Sequence, residues 1–281
     1  MALKKNELQI YENMISKDLR SNLDWDKVIV CENSSPGDVL AIALNTTYRH
    51  ICQTGNPFFI QDLNTASLML GESDKFYEMP ISSILSPTAV SKESEESLLL
   101  FKQSFNRAEQ KSGIISGIEE KLKHTAGAAS TLSDLLSIAD ELYTNAIYNA
   151  PFVNLENSVP GASRKNPYVR MHQNKSATIF LGTDSSRVVI GCADSYGSLN
   201  LIKLFKRIKG CIEKGPAAIM NISEEHGAGI GSFLIFHKST GYYAIVEPEK
   251  RTIICCVLPL KVRNRTRLEM PKNLHFIIKE Q

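Results

Sequence analysis

The sequence lacks any apolar run approaching 18 residues, and therefore predicts no membrane-spanning helix and no membrane partner. Its first residues, MALKKNELQIYENM, carry charges but no apolar stretch, so the segment does not resemble a signal peptide. Six cysteines are scattered along the chain without a CxxC pair, which argues against a disulfide framework. We therefore expect reduced, partly buried thiols in a cytoplasmic protein.

A strong charge of either sign is also absent, because the formal net charge is only +2. This value gives no indication of a nucleic-acid partner. The charge is unevenly distributed: residues 1–117 hold 11 basic and 15 acidic residues, and the remainder holds 21 and 15. The polar segment EQKSGIISG separates the two parts and predicts a boundary between domains at 1–112 and 118–281.

The first part alternates segments typical of strands and helices, which predicts a small α/β domain that senses a signal or docks a partner. No phosphate loop, metal-ligand spacing or catalytic cluster stands out in it. The predicted strands are KVIVCEN and NPFFIQDL, and the predicted helices are SSPGDVLAIALNTTYRHI and EESLLLFKQSFNRAEQK.

The second part predicts two helices, a strand pair, a helix, a glycine loop opening a helix, and a second strand pair. This order differs from βαβ alternation and predicts an α+β sandwich within the α/β class: a mixed or antiparallel sheet with helices on one face. The helix over SLNLIKLFKRIKGCIEKG should bury Leu201, Leu204, Phe205 and Ile208. In the basic tail, strand geometry would place Lys261, Arg263, Arg265 and Arg267 together on a solvated edge.

The helical segment DELYTNAIYN places Glu141 and Asn145 one turn apart, on the same side of the helix. A carboxylate and an amide oxygen at this spacing are hard donors that suit Mg²⁺, directly or through water, beside a phosphate chain. The alternative is a solvated helix face that carries two polar residues.

Two glycine-containing segments follow. In GCADSYGSL an apolar strand ends at Asp194, whose carboxylate can accept a hydrogen bond from an exocyclic amine such as that of adenine, and Gly197 permits a sharp turn. In HGAGIGSFLI, Gly227, Gly229 and Gly231 precede a helix whose free amides suit phosphate oxygens. An ordinary turn and a flexible loop are the alternatives for these two segments.

These segments, in this order, resemble the motifs of the GHKL (Bergerat-fold) ATPase superfamily. The asparagine box looks like ELYTNAIYNA, the first glycine box like DSYGS, and the second like GAGIGSFLI. The hairpin YYAIVEPEKRTIICCVLPL also fits, with Thr252 where the family often has a threonine near the nucleotide. The resemblance covers roughly residues 118–260 and is closest to the serine kinase domains of anti-sigma factors and to histidine-kinase-type ATPase domains.

The resemblance implies a role for each matched position. Glu141 would be the general base, Asn145 would coordinate Mg²⁺, and Asp194 would read the adenine of ATP beside the turn at Gly197. Gly227, Gly229 and Gly231 would contact phosphates at the base of a lid. Ser198 departs from the pattern, since the family often has a second glycine there.

The sequence thus leaves different classes of function open. The first is an ATP-binding regulatory protein in signal transduction that transfers phosphate to Ser or Thr of a protein partner. The second is a non-catalytic module of the same fold that acts by protein–protein binding, and the third is a two-domain protein with no nucleotide site. Relatives of the anti-sigma type are often dimers, so a homodimer is a further expectation.

Overall fold

The computed structural model describes residues 5–150, 168–216 and 228–279, and eight strands of these residues form one sheet. The strands are β1 (Val28–Cys31), β2 (His50–Gln53), β3 (Leu99–Phe105), β4 (Ala177–Thr183), β5 (Arg187–Asp194), β6 (Gly241–Glu247), β7 (Arg251–Pro259) and β8 (Asn273–Ile278). Their order across the sheet is β1-β2-β8-β6-β7-β5-β4-β3.

The sheet is mixed. β1 pairs with β2 and β6 with β8 in parallel, whereas the remaining neighbours are antiparallel. Both edges come from the first 105 residues: β1 and β2 join through β8, and β3 pairs with β4. Residues before and after the predicted domain boundary therefore contribute to a single sheet, and the boundary itself remains a prediction.

The helices of the described residues complete a mixed α/β fold, which confirms the predicted α+β sandwich. They are α1 (Lys5–Glu12), α2 (Lys17–Arg20), α3 (Pro36–Asn45), α4 (Phe59–Gly71), α5 (Ser73–Glu78), α6 (Pro80–Leu85), α7 (Lys92–Leu98), α8 (Lys111–Lys123), α9 (Leu132–Thr144), α10 (Leu201–Lys214), α11 (Ala228–Lys238) and α12 (Asn264–Glu269).

Helices cover both faces of the sheet, because strand side chains alternate between the two faces. Tyr242 and Ala244 of β6 join the core formed with α3 and α8–α11, whereas Tyr243 and Ile245 join a second core formed with α4–α6. The helices of the second half thus lie on one face, as predicted. Helices α4–α6 of the first half cover the other face, whereas α3 packs on the same face as α8–α11.

Several predicted elements are confirmed. The two hairpins appear as β4–β5 and β6–β7, and the four predicted apolar residues of α10 are buried. Ser35 caps α3 in a capping box with Asp38, which explains why this helix begins at Pro36. All six cysteines are free and buried, with Cys255 and Cys256 on opposite faces of β7.

Two predictions in the first half are wrong. The segment NPFFIQDL is not a strand, because Phe59, Leu63 and Ala66 recur at helical spacing and become buried in α4. The long helix predicted over EESLLLFKQSFNRAEQK ends at Leu98, and β3 begins at Leu99 and pairs with β4. The four-residue strand β2 was not predicted either. It lies at the end of the predicted helix SSPGDVLAIALNTTYRHI and in the residues that follow it.

The prediction for the basic tail is also wrong. Residues 264–269 form α12, and Arg267 is fully buried, with its guanidinium paired to Asp134. Residues 273–278 form β8 inside the sheet. Across the three described ranges, no helix combines the length and apolar character that a membrane crossing requires.

Candidate functional site

Helix α9 carries the two residues that the sequence predicts for catalysis and metal binding. Its apolar side chains Leu135, Ala139 and Leu142 are buried and pack the helix against β4 and β5. Glu141 and Asn145 are half-buried. The polar pair therefore borders the core instead of lying on a fully solvated face.

The C-terminal end of α9 continues into a π-helical turn, Asn145–Asn149. Such turns recur at functional sites because they re-aim the side chains of a helix. The side-chain amide of Asn149 donates to the Oδ1 atom of Asn145 over 2.7 Å, which orients the Asn145 amide. A carbonyl oxygen has two lone pairs, so Oδ1 retains capacity for a further ligand.

Asp194 ends β5 between two neighbouring strands. It lies opposite Ala177 of β4 and Thr252 of β7, and its Oδ1 accepts a hydrogen bond from the Tyr196 N–H over 2.9 Å. Burial raises the pKa of Asp194 to about 6. The N–H groups of Tyr196 and Gly197, the Thr252 hydroxyl and Lys175 act in the opposite direction and stabilise the ionised form. A strand-end carboxylate that titrates near neutral pH is a candidate for binding chemistry.

Gly197 makes the turn after Asp194 in the left-handed region, with φ of 63°. A Cβ here would lie 2.8 Å from the backbone nitrogens of both Glu249 and Lys250 in the β6–β7 turn. Backbone cannot yield as a side-chain end does, so this position requires glycine. The turn is consequently held against the hairpin that carries Thr252.

One hydrogen bond connects the Asp194 turn to the Asn145 turn. The Ser198 hydroxyl donates to the carbonyl of Ala150 over 2.8 Å. Tyr148 and Tyr196, one from each turn, pack on the same core. The two segments therefore meet at one end of the sheet, and Ser198, which departs from the family pattern, makes the connection.

The structure describes two of the three glycines that were predicted to contact phosphates. Gly227 lies outside the described residues, whereas Gly229 and Gly231 lie within α11 rather than in a loop. A Cβ on Gly231 would overlap Oε2 of Glu141 and lie 2.5 Å from its Cδ. The backbone of α11 thus approaches the Glu141 carboxylate closely, and a side chain at this position would have to displace that carboxylate.

Three residues beside Asp194 could not be assigned from the sequence. Lys175 Nζ donates to the carbonyl of Ser195 and lies 5.3 Å from the ring centroid of Tyr196. The Tyr196 hydroxyl accepts a hydrogen bond from the His172 N–H over 3.0 Å. The basic residues that precede β4 could indicate a cation near Asp194, but no sequence pattern indicated the contact between Lys175 and Tyr196.

The donor set accommodates magnesium only together with other ligands. Among the residues that the structure describes, no group of three or more His, Cys, Asp or Glu side chains is arranged to hold a metal ion. Asn145 and Glu141 supply oxygen donors on one helix, and Mg²⁺ commonly takes one or two such donors plus phosphate and water. The donors thus fit an ion that arrives with a nucleotide.

No protein-family model, curated protein or solved structure gives a significant match to this chain.

Proposed function

We propose that this chain is a regulatory protein of the cytoplasm that binds Mg-ATP between the Asp194 turn and the C-terminal end of α9. The supporting observation is the convergence of these segments, joined by the hydrogen bond from Ser198 to Ala150. Asp194 would accept a hydrogen bond from the adenine amine, with Thr252 beside it. Asn145 would hold Mg²⁺, and the amides near Gly229 and Gly231 would contact phosphate oxygens.

Phosphoryl transfer to a Ser or Thr of a protein partner is the reaction that this site supports best. The bound nucleotide would supply the γ-phosphoryl group, and catalysis would depend mainly on positioning and charge neutralisation. Glu141 is the half-buried carboxylate one turn from Asn145, so it would accept the proton of the attacking hydroxyl. The first 112 residues would sense a signal or dock the partner, and a homodimer is part of the same proposal.

Calorimetry of Mg-ATP binding tests the nucleotide site. We expect Asn145→Ala and Asp194→Ala each to weaken binding at least about tenfold, since each removes a direct ligand contact. Asn45→Ala and Asp140→Asn are matched controls, because both side chains are exposed or ion-paired away from the site. Equal affinity in the wild type and Asn145→Ala would count against the proposed function. Wild type should also prefer ATP to GTP, which lacks the exocyclic amine at the equivalent position.

A non-catalytic module is the second candidate, and the contact between Glu141 and Gly231 favours it. The α11 backbone lies against the carboxylate that catalysis would use. Glu141→Gln separates the candidates: a kinase should keep Mg-ATP binding and lose ADP formation, whether the acceptor is water or a protein hydroxyl, whereas a binding module should form no ADP in either protein.

A further inference from the structure

Helices α9 and α11 run antiparallel and contact each other at two places. At one end the Nζ atom of Lys238 lies 3.0 Å from Oδ1 of Asp134. At the other end the Gly231 backbone meets the Glu141 carboxylate. The two contacts are seven residues apart on each helix, about 10.5 Å at 1.5 Å per residue. Both contacts therefore belong to a single register of one helix on the other.

The contact at Asp134 is part of a buried polar cluster. Oδ2 of Asp134 accepts from the Arg267 guanidinium and, over 3.1 Å, from the side-chain amide of Asn264. Both donors come from α12, so Asp134 is held from that side whether or not α11 is in place. Lys238 is the member that α11 contributes, and its side chain is 20% exposed. Buried ion pairs are weak evidence for stability, but they can specify a register.

A second lysine holds the same end of α11. Nζ of Lys272 donates to the carbonyls of His237 over 2.7 Å and Ser239 over 2.6 Å, which are otherwise unsatisfied acceptors at a helix terminus. The C-terminal end of α11 is thus fixed through both its side chain and its backbone. The Gly231 end has a steric constraint instead, since a Cβ at this place would have to displace the Glu141 carboxylate.

We propose that Lys238 and Asp134 are positioning residues that set the register of α11 on α9 and thereby hold Gly231 against Glu141. The inference rests on the proposed function only for the chemical role of Glu141. A helix displaced along α9 would bring a side chain to the place where Gly231 now lies. The ion pair therefore determines, from two helical turns away, how closely the α11 backbone approaches this carboxylate.

Thermal unfolding of the full chain without nucleotide tests the proposal, with Gly231→Ala as the probe of the helix contact. The added methyl should lower Tm by about 2–4 °C, since overpacking outweighs the gain in helix propensity. The same substitution in a Glu141→Ala background should raise Tm, because the overlap is gone. A fall of Tm in both backgrounds would show that the contact does not exist and would overturn the proposal.

The decisive comparison places Gly231→Ala in a Lys238→Met background. Methionine keeps the apolar stem but cannot pair with Asp134, so α11 can relax and the Tm loss should shrink to less than about half. Lys238→Arg should restore the full loss. Lys123→Met, which removes an exposed ion pair on α8, should leave the loss unchanged. Lys238→Gln is a second variant if the methionine protein does not fold.

The outcomes separate this inference from the proposed function. Equal Tm losses in the wild type and the Lys238→Met background would show that Lys238 does not set the register, whatever the chain binds. A chain that fails to bind Mg-ATP but shows the expected coupling would refute the nucleotide site and leave the positioning role intact.

Discussion

Acidification should destabilise the protein through a pair of buried histidines. His50 of β2 lies opposite His275 of β8, both rings are fully buried, and their Nδ1 atoms are 3.2 Å apart. The His275 ring also stacks on Tyr243 at 4.6 Å between centroids. Neither Nε2 atom has a hydrogen-bond partner among the described residues. Two cationic rings cannot be accommodated at this place without water.

The size of the effect follows from the histidine pKa values. Burial, and then the charge of Arg49, lowers the pKa of His50 from 6.5 to about 3, and burial lowers that of His275 well below 6.5. The unfolded chain therefore binds a proton at His50 below pH 6.5, whereas the folded chain binds this proton only when the pH falls to about 3. His50 then removes about 1.4 kcal/mol of unfolding free energy per pH unit, or about 3 kcal/mol between pH 6.5 and 4, and His275 acts in the same direction. That loss is a large fraction of a typical stability of about 5–15 kcal/mol.

Urea unfolding at pH 7, 6, 5 and 4 measures this slope. The fluorescence of Trp25, the single tryptophan, which packs on the core around α4, is a convenient signal. We expect His50→Gln to reduce the dependence of the unfolding free energy on pH by about 1.4 kcal/mol per unit between pH 6 and 4. Comparing slopes cancels the neutral-pH cost of the substitution. His124→Gln, at an exposed helix end, is the control.

An unchanged slope in His50→Gln would refute the reasoning, because the pair would then not be the source of acid sensitivity. A stability that stays constant from pH 7 to pH 4 in the wild type would refute it as well.

Four further predictions concern the site and the sheet. Burial raises the pKa of Asp194 from 3.8 to about 6, so this residue contributes stability below pH 3.8 that is lost as pH rises through 6. Asp194→Asn should therefore stabilise the protein at pH 8 by up to about 3 kcal/mol and show no gain at pH 3.5. Urea unfolding at the two pH values measures both quantities. Calorimetric affinity for Mg-ATP in the wild type should fall as pH drops through 6, and a flat profile would contradict a role for the ionised carboxylate. Gly197→Ala should lower Tm by several degrees, since its Cβ meets backbone nitrogens; an unchanged Tm would mean that the turn can move. A fragment of residues 118–281 lacks α4–α6 and three strands, so it should fail to give cooperative unfolding or a dispersed NMR spectrum; a well-folded fragment would support two separable domains.

The sequence predicts the centre of this fold better than its margins. Strands β4–β7 are apolar runs of seven to nine residues that form two hairpins with short turns, and α10 has a single apolar stripe, so local pattern is sufficient there. The prediction for NPFFIQDL fails because this short apolar run does not by itself show a helical period, which becomes clear only when Ala66 is included; burial against α2, α5, α6 and β2 selects the helix. β2 has four residues, too few to show a pattern.

The candidate site shows the same limit. The sequence could indicate Glu141, Asn145 and Asp194, because these side chains lie at the ends of recognisable elements. It could not indicate that Ser198 would connect two turns, since its acceptor is 48 residues away. Asp134 and Arg267 form a buried pair although they are 133 residues apart in the sequence. The alternating charges of the basic tail predicted a solvated edge and therefore did not indicate this pair.

The position of β8 has a consequence for synthesis. β1 and β2 are made first, yet they reach the rest of the sheet only through β8, the last of the eight strands to leave the ribosome. Until then the earliest strands have an unpaired edge, and the pairing of His50 with His275 must close a loop of more than two hundred residues. The sheet therefore cannot be completed before β8 is free to pair, and β1 and β2 keep this exposed edge until then.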